Sequence, residues 1–337
     1  MITGGSFTLG VDVGGTKVAA GLVDTQGTIL FQTRVAMSAR EDAVTGFAAV
    51  ENAINAVFAA RPDARGALAG IGICAPGPLD PRTGVVLNPP NVPCWRNFSL
   101  ASEVERAFGF RARVDNDANA AALAEAIWGA GVGFGNVFYA TLGTGIGTGI
   151  VFNQRIYHGR TGSAAEGGHL SIDYRGPRCG CGKPGCIEAL ASGPAIARRA
   201  REKLESGHTS SMLDLAAGKL SAVTCEMVGQ ANASGDPLAA EVLRETIELL
   251  SFWLGNVVDL LEPDVIIIGG GVATMLRPFF SEIHDRVPGC SVNPRCGEIP
   301  LLPAQYGEDA GIAGGAALCF DAATTNRMEH PAIPSKG

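Results

Sequence analysis

The chain contains two similar segments that each read as strand, glycine turn and strand. The first, FTLGVDVGGTKVAAGLVDTQGTILFQTR at residues 7–34, joins short β-branched runs through a Gly-Gly-Thr turn. The second, NVFYATLGTGIGTGIVFNQRIYHG, follows the same plan roughly 130 residues later. This repeat predicts two related lobes whose glycine turns face one another across a cleft, where a polyphosphate could bind. Chance similarity between two glycine-rich hairpins is the alternative.

The length and composition agree with two folded domains. The 337 residues exceed the size at which a single core usually stops growing. Apolar residues make up 46% of the chain and charged residues 18%, which is enough apolar material for sizeable cores.

The charge pattern argues against a nucleic-acid surface and against a membrane protein. The formal net charge is −7, and the sequence contains no run of Lys and Arg. The start MITGGSF lacks the features of a signal peptide, and no apolar run approaches the roughly 20 residues of a membrane span. We therefore expect an acidic cytoplasmic protein without a nucleic-acid or membrane partner.

The cysteines predict a reducing compartment. There are nine, an odd number, and three of them lie in one short loop, so a secreted disulfide framework explains them poorly. The other six are scattered and are expected to be small buried or inert side chains: Cys74, Cys94, Cys225, Cys290, Cys296 and Cys319.

The loop EGGHLSIDYRGPRCGCGKPGCIE at residues 166–188 contains a candidate metal site. It supplies one imidazole and three thiols, a complete set of ligands for tetrahedral zinc: His169, Cys179, Cys181 and Cys186. Four protein ligands leave no open position, so the predicted ion is structural. Glu166 and Glu188 flank the loop. The alternative is an accidental grouping of three cysteines near a histidine.

The first glycine turn offers a phosphate-binding site. Asp12 ends an apolar strand and is followed by Gly14, Gly15, Thr16 and Lys17. Backbone N–H groups of such a turn can bind phosphate, while the carboxylate reaches a metal directly or through water. Neither a Walker loop nor a dinucleotide motif fits, because the turn joins strand to strand. A plain hairpin turn with a buried Asp remains the alternative.

Two further polar segments are candidates for ligand contacts. RARVDNDANAAALAEAIWG predicts a strand that runs into a helix, with Asn116 and Asp117 at the corner and Asp117 at the N-cap position. LNPPNVPCW predicts an ordered loop in which Asn88 and Asn91 are the polar groups and Trp95 an aromatic wall. The alternatives are an ordinary N-cap aspartate and an ordinary Pro-rich crossover.

Helical patterns occupy several of the remaining stretches. Residues 41–61 predict an amphipathic helix whose apolar face includes Val44, and a mostly helical region runs to about residue 261, with an N-cap at Asp236. VIIIGGGVA then predicts a buried parallel strand. Its end at Gly269, Gly270 and Gly271 permits close approach of a flat ligand such as adenosine.

Taken together, these motifs resemble the ROK family of bacterial sugar kinases, repressors and related proteins. The resemblance covers nearly the whole chain, and its most specific part is GHLSIDYRGPRCGCGKPGCIEALASG. It implies an α/β, actin-like, hexokinase-type fold of two duplicated ribonuclease-H-like lobes with a structural zinc loop. It also implies ATP with Mg²⁺ and transfer of the γ-phosphoryl group to a sugar hydroxyl.

The family's functional residues have matches in this chain. The resemblance implies that Asp117 is the catalytic base and also contacts the substrate. It implies that the sugar is bound by Asn91, Asn116, Glu166, His169 and Glu188. It assigns the first phosphate motif to Asp12, Gly14, Gly15, Thr16 and Lys17, the second to Thr144 and Gly145, and the adenosine region to Gly269, Gly270 and Gly271.

The resemblance also sets expectations about domains and assembly. It implies a small lobe at residues 1–117 with a helix at 310–320 packed back on it, a larger lobe at 118–309, a weakly ordered tail at 321–337, and a homodimer. A transcriptional repressor of the family would carry a helix-turn-helix domain first, and here the first strand is predicted by about Phe7. A non-catalytic sugar-responsive protein would be expected to have lost Asp117 or the glycine turns.

Glucose is the expected substrate, because LNPPNVPCWRNFSL looks most like the bacterial glucokinases of the family, enzymes of glycolysis. N-acetylglucosamine, N-acetylmannosamine, fructose, mannose and allose are the alternatives, because relatives accept them with nearly the same polar residues. Gly167 stands where many members of the family have a bulkier residue, and this departure bears on the fit around the sugar and hence on substrate choice.

Overall fold

A computed structural model describes residues 6–324 of the chain. The hairpins predicted around both glycine turns are confirmed. The strands are β1 (Phe7–Val13), β2 (Lys17–Asp24), β3 (Ile29–Ala36), β4 (Leu68–Ala75), β5 (Leu79–Asp80), β6 (Val85–Val86), β7 (Ala112–Asn116), β8 (Asn136–Leu142), β9 (Ile146–Phe152), β10 (Arg155–Ile156), β11 (Val265–Gly269) and β12 (Leu301–Pro303).

The helices occupy the stretches in which the sequence shows helical spacing. In the longest of them, Asp236 caps the N-terminus as predicted, and its carboxylate accepts hydrogen bonds from the N–H groups of Leu238 and Ala239. The helices are α1 (Ala43–Ala60), α2 (Leu100–Phe108), α3 (Asp117–Trp128), α4 (Ile187–Ala191), α5 (Gly193–Glu205), α6 (Met212–Leu215), α7 (Cys225–Ala233), α8 (Pro237–Leu261), α9 (Gly271–Leu276), α10 (Phe280–Arg286) and α11 (Ala310–Thr324).

The described chain divides into two compact units. Unit 1 contains the residues up to Trp128, Gln154–Ala164 and the segment from Glu308, and unit 2 contains Gly129–Asn153 and Ala165–Gly307. Unit 1 therefore extends past the boundary at residue 117 that the sequence led us to expect, because α3 packs against α11 and belongs with it.

Unit 1 is a mixed sheet with strand order β3-β2-β1-β4-β7. The β1–β2 and β2–β3 pairs are antiparallel, whereas β1–β4 and β4–β7 are parallel. Buried aliphatic side chains of the sheet, such as Leu9 and Ile73, pack with α1 and α2 in one core. The parallel strands end together, so Asp12 of β1 and Asn116 of β7 lie at one edge of this sheet.

Helix α11 packs directly on the sheet of unit 1. A Cβ on Gly10 would lie 1.8 Å from the carbonyl oxygen of Ile312, and a Cβ on Gly72 would lie 1.8 Å from that of Gly315. Only glycine at these strand positions permits such close approach. The helix runs to Thr324, four residues past the predicted end at 320, and residues 325–337 of the predicted tail lie outside the described part of the chain.

Unit 2 repeats the plan of unit 1. Its strands follow the order β9-β8-β11-β12, in which β8–β9 is antiparallel and β8–β11 and β11–β12 are parallel. The strand VIIIG is fully buried and parallel, as its continuous apolar run predicted. Helix α8 supplies a large part of the second core, including the fully buried Trp253.

Helix α1 has the length and composition of a possible membrane span, and it is the only such helix among residues 6–324. Its buried face, which includes Phe47 and Ile54, packs against β2 and β3 in the core of unit 1. This packing is typical of a core helix. Val44, predicted on the apolar face, is instead exposed at 78%, because it lies in the first turn, away from the sheet.

Candidate functional site

The first glycine turn lies against the Asn91 loop. Gly14 closes the turn by donating its N–H to the carbonyl of Lys17 at 2.9 Å. A Cβ on Gly15 would lie 2.5 Å from the carbonyl oxygen of Asn91, so the loop contacts the turn through backbone atoms. Thr16 and Lys17 are exposed. Unit 1 thus brings two sequence-predicted segments together, with a hydroxyl and an ammonium group open to a ligand.

Asp117 lies close enough to Asp12 for its negative charge to raise the pKa of Asp12. Helix α3 begins at Asp117, and Asn116, not Asp117 as predicted, is the residue before the helix; its side chain accepts from the Ala118 N–H at 3.0 Å. Burial raises the pKa of Asp12 to about 6, with a further contribution from the negative charge of Asp117. Asp117 is solvent-accessible, yet the surrounding protein atoms limit its hydration and raise its pKa above the usual value.

We expect Asp12→Asn to stabilise the ligand-free protein at pH 8 and to have little effect at pH 4. The pKa of Asp12 is higher in the folded state than the ordinary value, so the folded state binds a proton more tightly than the unfolded state. Protonation of Asp12 therefore stabilises the folded state. This contribution to the free energy of unfolding is fully present below about pH 4 and is lost as the pH rises through about 6. The gain from the amide at pH 8 is at most about 3 kcal/mol.

Thermal unfolding of both proteins at the two pH values measures this effect. Asp24→Asn is a matched control, because the Asp24 carboxylate accepts hydrogen bonds from the N–H groups of Gln26 and Thr28 in an exposed turn. If the wild type were more stable than Asp12→Asn at pH 8, and by a larger margin than at pH 4, the result would contradict the raised pKa of Asp12.

A buried carboxylate next to the corner was not singled out from the sequence. Asp115 is 3% exposed and lies 2.6 Å from the imidazole Nε2 of His158, and its other oxygen accepts hydrogen bonds from the Asn116 N–H and the Asn119 side chain. This contact raises the pKa of His158. The repeated acidic residues of DND are visible in the sequence. His158, 43 positions away, carried no signal that it would be the partner.

In unit 2, Glu188 joins the second glycine turn to the cysteine loop. Its Oε2 accepts the N–H of Ile146 at 3.0 Å, directly after Thr144 and Gly145. Its Oε1 lies 3.8 Å from Nδ1 of His169. The residues themselves marked Glu188 as a flanking acid, and the family resemblance implied a sugar contact; the structure shows that this carboxylate contacts both predicted segments.

We expect Gly145→Ala to destabilise the protein by about 1–3 kcal/mol, the usual cost of overpacking. A Cβ at this position would lie 2.6 Å from Oε2 of Glu188 and would displace the carboxylate from the turn. Gly143→Ala is the matched control, because a Cβ there meets nothing within 4 Å. Thermal unfolding of the two variants without ligand measures the difference, and equal midpoints would show that Glu188 does not hold the turn.

The four predicted metal ligands lie together. The ligand atoms of His169, Cys179, Cys181 and Cys186 all lie within 4.8 Å of one another. Nδ1 of His169 is 3.6 Å from the sulfur of Cys179, and the sulfurs of Cys181 and Cys186 are 3.6 Å apart. Tetrahedral zinc with Zn–S bonds of about 2.3 Å places its sulfur ligands roughly 3.7 Å apart. The donor set and its spacing therefore fit one zinc ion.

The segment around Glu166 is fixed by side chains of two other elements. The Gly167 N–H donates to the hydroxyl of Thr148 at 2.8 Å, and the Gly167 carbonyl accepts the indole N–H of Trp253 at 3.1 Å. A Cβ on Gly167 would lie 2.8 Å from the Thr148 hydroxyl oxygen. Thr148 therefore fills the space that a side chain at position 167 would need, which explains the glycine at this position.

Gly271, which follows β11, lines a cavity together with the second glycine turn. This cavity of about 550 Å³ is bordered by Gly143, Thr144 and Gly271, together with residues of α5 and α7. Gly270 has a φ of +92°, and a Cβ there would lie 2.4 Å from the carbonyl oxygen of Leu142 at the end of β8. The cavity is at the carboxyl ends of two parallel strands, which is where open α/β sheets bind ligands. Gly269, by contrast, is buried within β11.

Comparison with known proteins gives matches over nearly the whole chain. The chain is 33% identical to the glucokinase of Thermotoga maritima over 313 residues, which cover 92% of this chain and 96% of the relative. It is 28% identical to the xylose repressor of Bacillus spizizenii, over 94% of this chain and 77% of the repressor. The crystal structure of a ROK family glucokinase from Streptomyces griseus in complex with glucose and AMPPNP matches with a TM-score of 0.76 and 35% identity. That match covers 93% of this chain and 98% of the other. The ROK family model matches residues 8–322. The chain therefore belongs to the ROK family.

Proposed function

We propose that the protein is an ATP-dependent sugar kinase that phosphorylates a hexose hydroxyl, with glucose as the substrate and glucose 6-phosphate as the product. The observation that carries the proposal is the similarity along nearly the whole chain to glucokinases, one of them solved with glucose and AMPPNP. The local geometry supports the same proposal. In each unit a glycine turn joins the two strands of a β-hairpin, and unit 1 has a carboxylate where a strand runs into a helix.

Asp117 is the proposed general base. Phosphoryl transfer requires a positioned nucleophile, neutralisation of the phosphate charge and a group that takes the hydroxyl proton. The carboxylate of Asp117 is accessible to a ligand, and its raised pKa brings it closer to the range in which a base takes up a proton efficiently. The hydroxyl proton moves to Asp117 as the oxygen attacks the γ-phosphorus, and ADP leaves with the electron pair of the broken bond.

The nucleotide would be bound by the two glycine turns and by the cavity after β11. The backbone N–H groups of Gly15 and Gly145, the hydroxyls of Thr16 and Thr144 and the ammonium of Lys17 are the proposed phosphate contacts. The 550 Å³ cavity that reaches Gly271 is large enough for the adenosine group. That the two turns face one another across a cleft stays a prediction.

Asp12 is the proposed magnesium ligand, directly or through water. Its carboxylate is half-buried with a pKa raised to about 6, so a nearby cation would relieve the cost of its negative charge. Oxygen donors of this kind suit Mg²⁺. When bound, the ion would neutralise charge on the phosphate oxygens of ATP.

The sugar is proposed to bind Asn91, Asn116, Glu166, His169 and Glu188. Because Nδ1 of His169 faces the cysteine sulfurs, its Nε2 is available for a sugar hydroxyl. Zinc at the four-ligand cluster would fix this histidine and the loop that carries Glu166 and Glu188. We further propose that the enzyme is a homodimer and works in the cytoplasm.

A coupled assay for ADP release with a panel of hexoses tests the proposal. We expect the highest kcat/KM with glucose and lower values with mannose, fructose, allose, N-acetylglucosamine and N-acetylmannosamine. A higher kcat/KM for one of the other sugars would reassign the substrate and leave the reaction unchanged. Sugar binding without ADP release for any member of the panel would instead support a sugar-responsive regulator, the function that the similarity to the xylose repressor leaves open.

A further inference from the structure

A second cavity, of about 650 Å³, lies wholly within unit 1 and has no part in the proposed reaction. Its walls come from the β5–β6 turn, the first turn of α2, the edge strand β7 and the segment with β10 and His158. Its volume is in the range of small-molecule sites, which is typically 300–1,000 Å³. We refer to it as the arginine cavity, after Arg82, Arg111, Arg113 and Arg155.

The arginine cavity is basic although the chain is acidic. Four arginines line it, whereas the chain as a whole has a net charge of −7. Its two carboxylates are already engaged in hydrogen bonds. Asp115 is bound by His158, and Oε1 of Glu105 accepts the Ala112 N–H at 3.0 Å. Both carboxylates keep their negative charge, but two of them cannot balance four guanidinium groups, so the lining carries an excess of positive charge.

Two of the arginines are held by the protein and two are available. Arg82 forms an ion pair with Asp80 at 3.0 Å, and Nη1 of Arg113 donates to the carbonyl of Leu318 at 3.2 Å. The guanidinium groups of Arg111 and Arg155 have no hydrogen-bond or ion-pair partner among the side chains of residues 6–320, the part of the chain whose side chains are described. Unpaired guanidinium groups present several N–H donors in a planar arrangement that suits phosphate and carboxylate oxygens.

The first turn of α2 adds to the positive electrostatic potential of the arginine cavity. Ala101 and Ser102 line the cavity near the N-terminus of this nine-residue helix. The N-terminal end of a helix carries partial positive charge, and its amide groups favour anions. The Ser102 hydroxyl is a further donor for an anionic oxygen. The arginines and the N-terminal end of α2 therefore both favour the binding of an anion.

We propose that the arginine cavity binds a small phosphate-bearing metabolite, with Arg111 and Arg155 as the main phosphate ligands. The limited volume of about 650 Å³ favours a small molecule over a polymer, and a phosphate group is the dianion that several guanidinium groups recognise best. This site lies outside the residues assigned to ATP and sugar, and it is independent of the proposed kinase reaction.

Isothermal titration calorimetry of the full chain with inorganic phosphate and with glucose 6-phosphate tests the proposal. Saturating AMPPNP and glucose are present so that the sites assigned to substrates are filled. We expect at least one of the two probes to bind, and Arg111→Gln or Arg155→Gln to weaken its binding by about tenfold each. The double variant should weaken it by about 100-fold. Equal Kd values for the two probes would show that the phosphate group alone is recognised. A lower Kd for glucose 6-phosphate would show that the sugar also contributes to binding.

Arg65→Gln is the matched control, because it removes the same charge from an exposed position of unit 1 outside the cavity. Arg111 and Arg155 are also exposed, so none of these variants should prevent folding, and thermal unfolding checks this directly. Absence of binding up to about 10 mM of either probe, or an unchanged Kd in the double variant, would overturn the proposal.

Discussion

Asp117→Asn is expected to lower kcat for glucose phosphorylation by about 10²–10⁴-fold while the protein stays folded. The amide keeps the size of the side chain and its hydrogen bond to the start of α3, but it cannot take up the hydroxyl proton. Because the pKa of Asp117 is raised in the folded state, removing the charge should not destabilise the protein at neutral pH. Steady-state kinetics with glucose and ATP, together with thermal unfolding, measure both effects.

Asp115→Asn is the matched control for this experiment. It makes the same change two residues earlier, at a carboxylate that contacts His158 and Asn119 in the protein interior. We expect it to lower stability, because the ion pair with His158 is lost, and to reduce kcat far less than Asp117→Asn. Near-normal turnover by Asp117→Asn would show that Asp117 is not the base. A fall of the wild-type kcat/KM as the pH drops toward the raised pKa of Asp117 is a second expected result.

Cys181→Ser is expected to lose zinc and sugar affinity together. Cys181 is exposed, so the substitution removes little packing, and the main loss is one of four proposed ligands. Without the ion, His169 and the loop that carries Glu188 lose the link that fixes them, and the KM for glucose should rise by at least about tenfold. Metal analysis of purified wild type and variant, followed by kinetics with glucose, measures the two effects.

Cys290→Ser controls for the loss of a thiol as such. Cys290 is half-buried in unit 2 and is not one of the four clustered ligands, so we expect this variant to keep both zinc and glucose affinity. The absence of zinc from freshly purified wild type would contradict the metal assignment. Loss of zinc without any change in the KM for glucose would leave the metal site in place and remove its proposed role in holding the sugar ligands.

Features that depend on local spacing were predictable from the sequence. The repeat of strand, glycine turn and strand predicted two sheets of the same kind, and both show an antiparallel hairpin followed by parallel strands. The cysteine spacing predicted a ligand cluster, because residues within one short loop can reach each other whatever the rest of the chain does. The start of α8 followed from Asp236 and Pro237, which act within a single turn.

Contacts between distant parts of the chain could not be predicted in this way. Nothing in the sequence paired Glu188 with the amide of Ile146, or Thr148 with Gly167, because these contacts depend on how the loop packs against β9. The position of α3 in unit 1 was missed for the same reason. A helix belongs to the unit against which it packs, and only the contact with α11 decided this.

The sequence by itself determined which chemical groups the protein has at its turns, corner and loop: phosphate-binding glycines, a carboxylate after a strand, and four soft metal ligands. The tertiary structure decided the electrostatics of these groups. The pKa of Asp12 is raised by burial and by the charge of Asp117, which is more than 100 positions away in the chain. Arg111 and Arg155 line one basic cavity only because the segments around β7 and β10 both belong to unit 1. The charge state and the hydration of a group depend on its distances to other groups in space. A sequence pattern specifies such distances only between residues that lie within a few positions of one another.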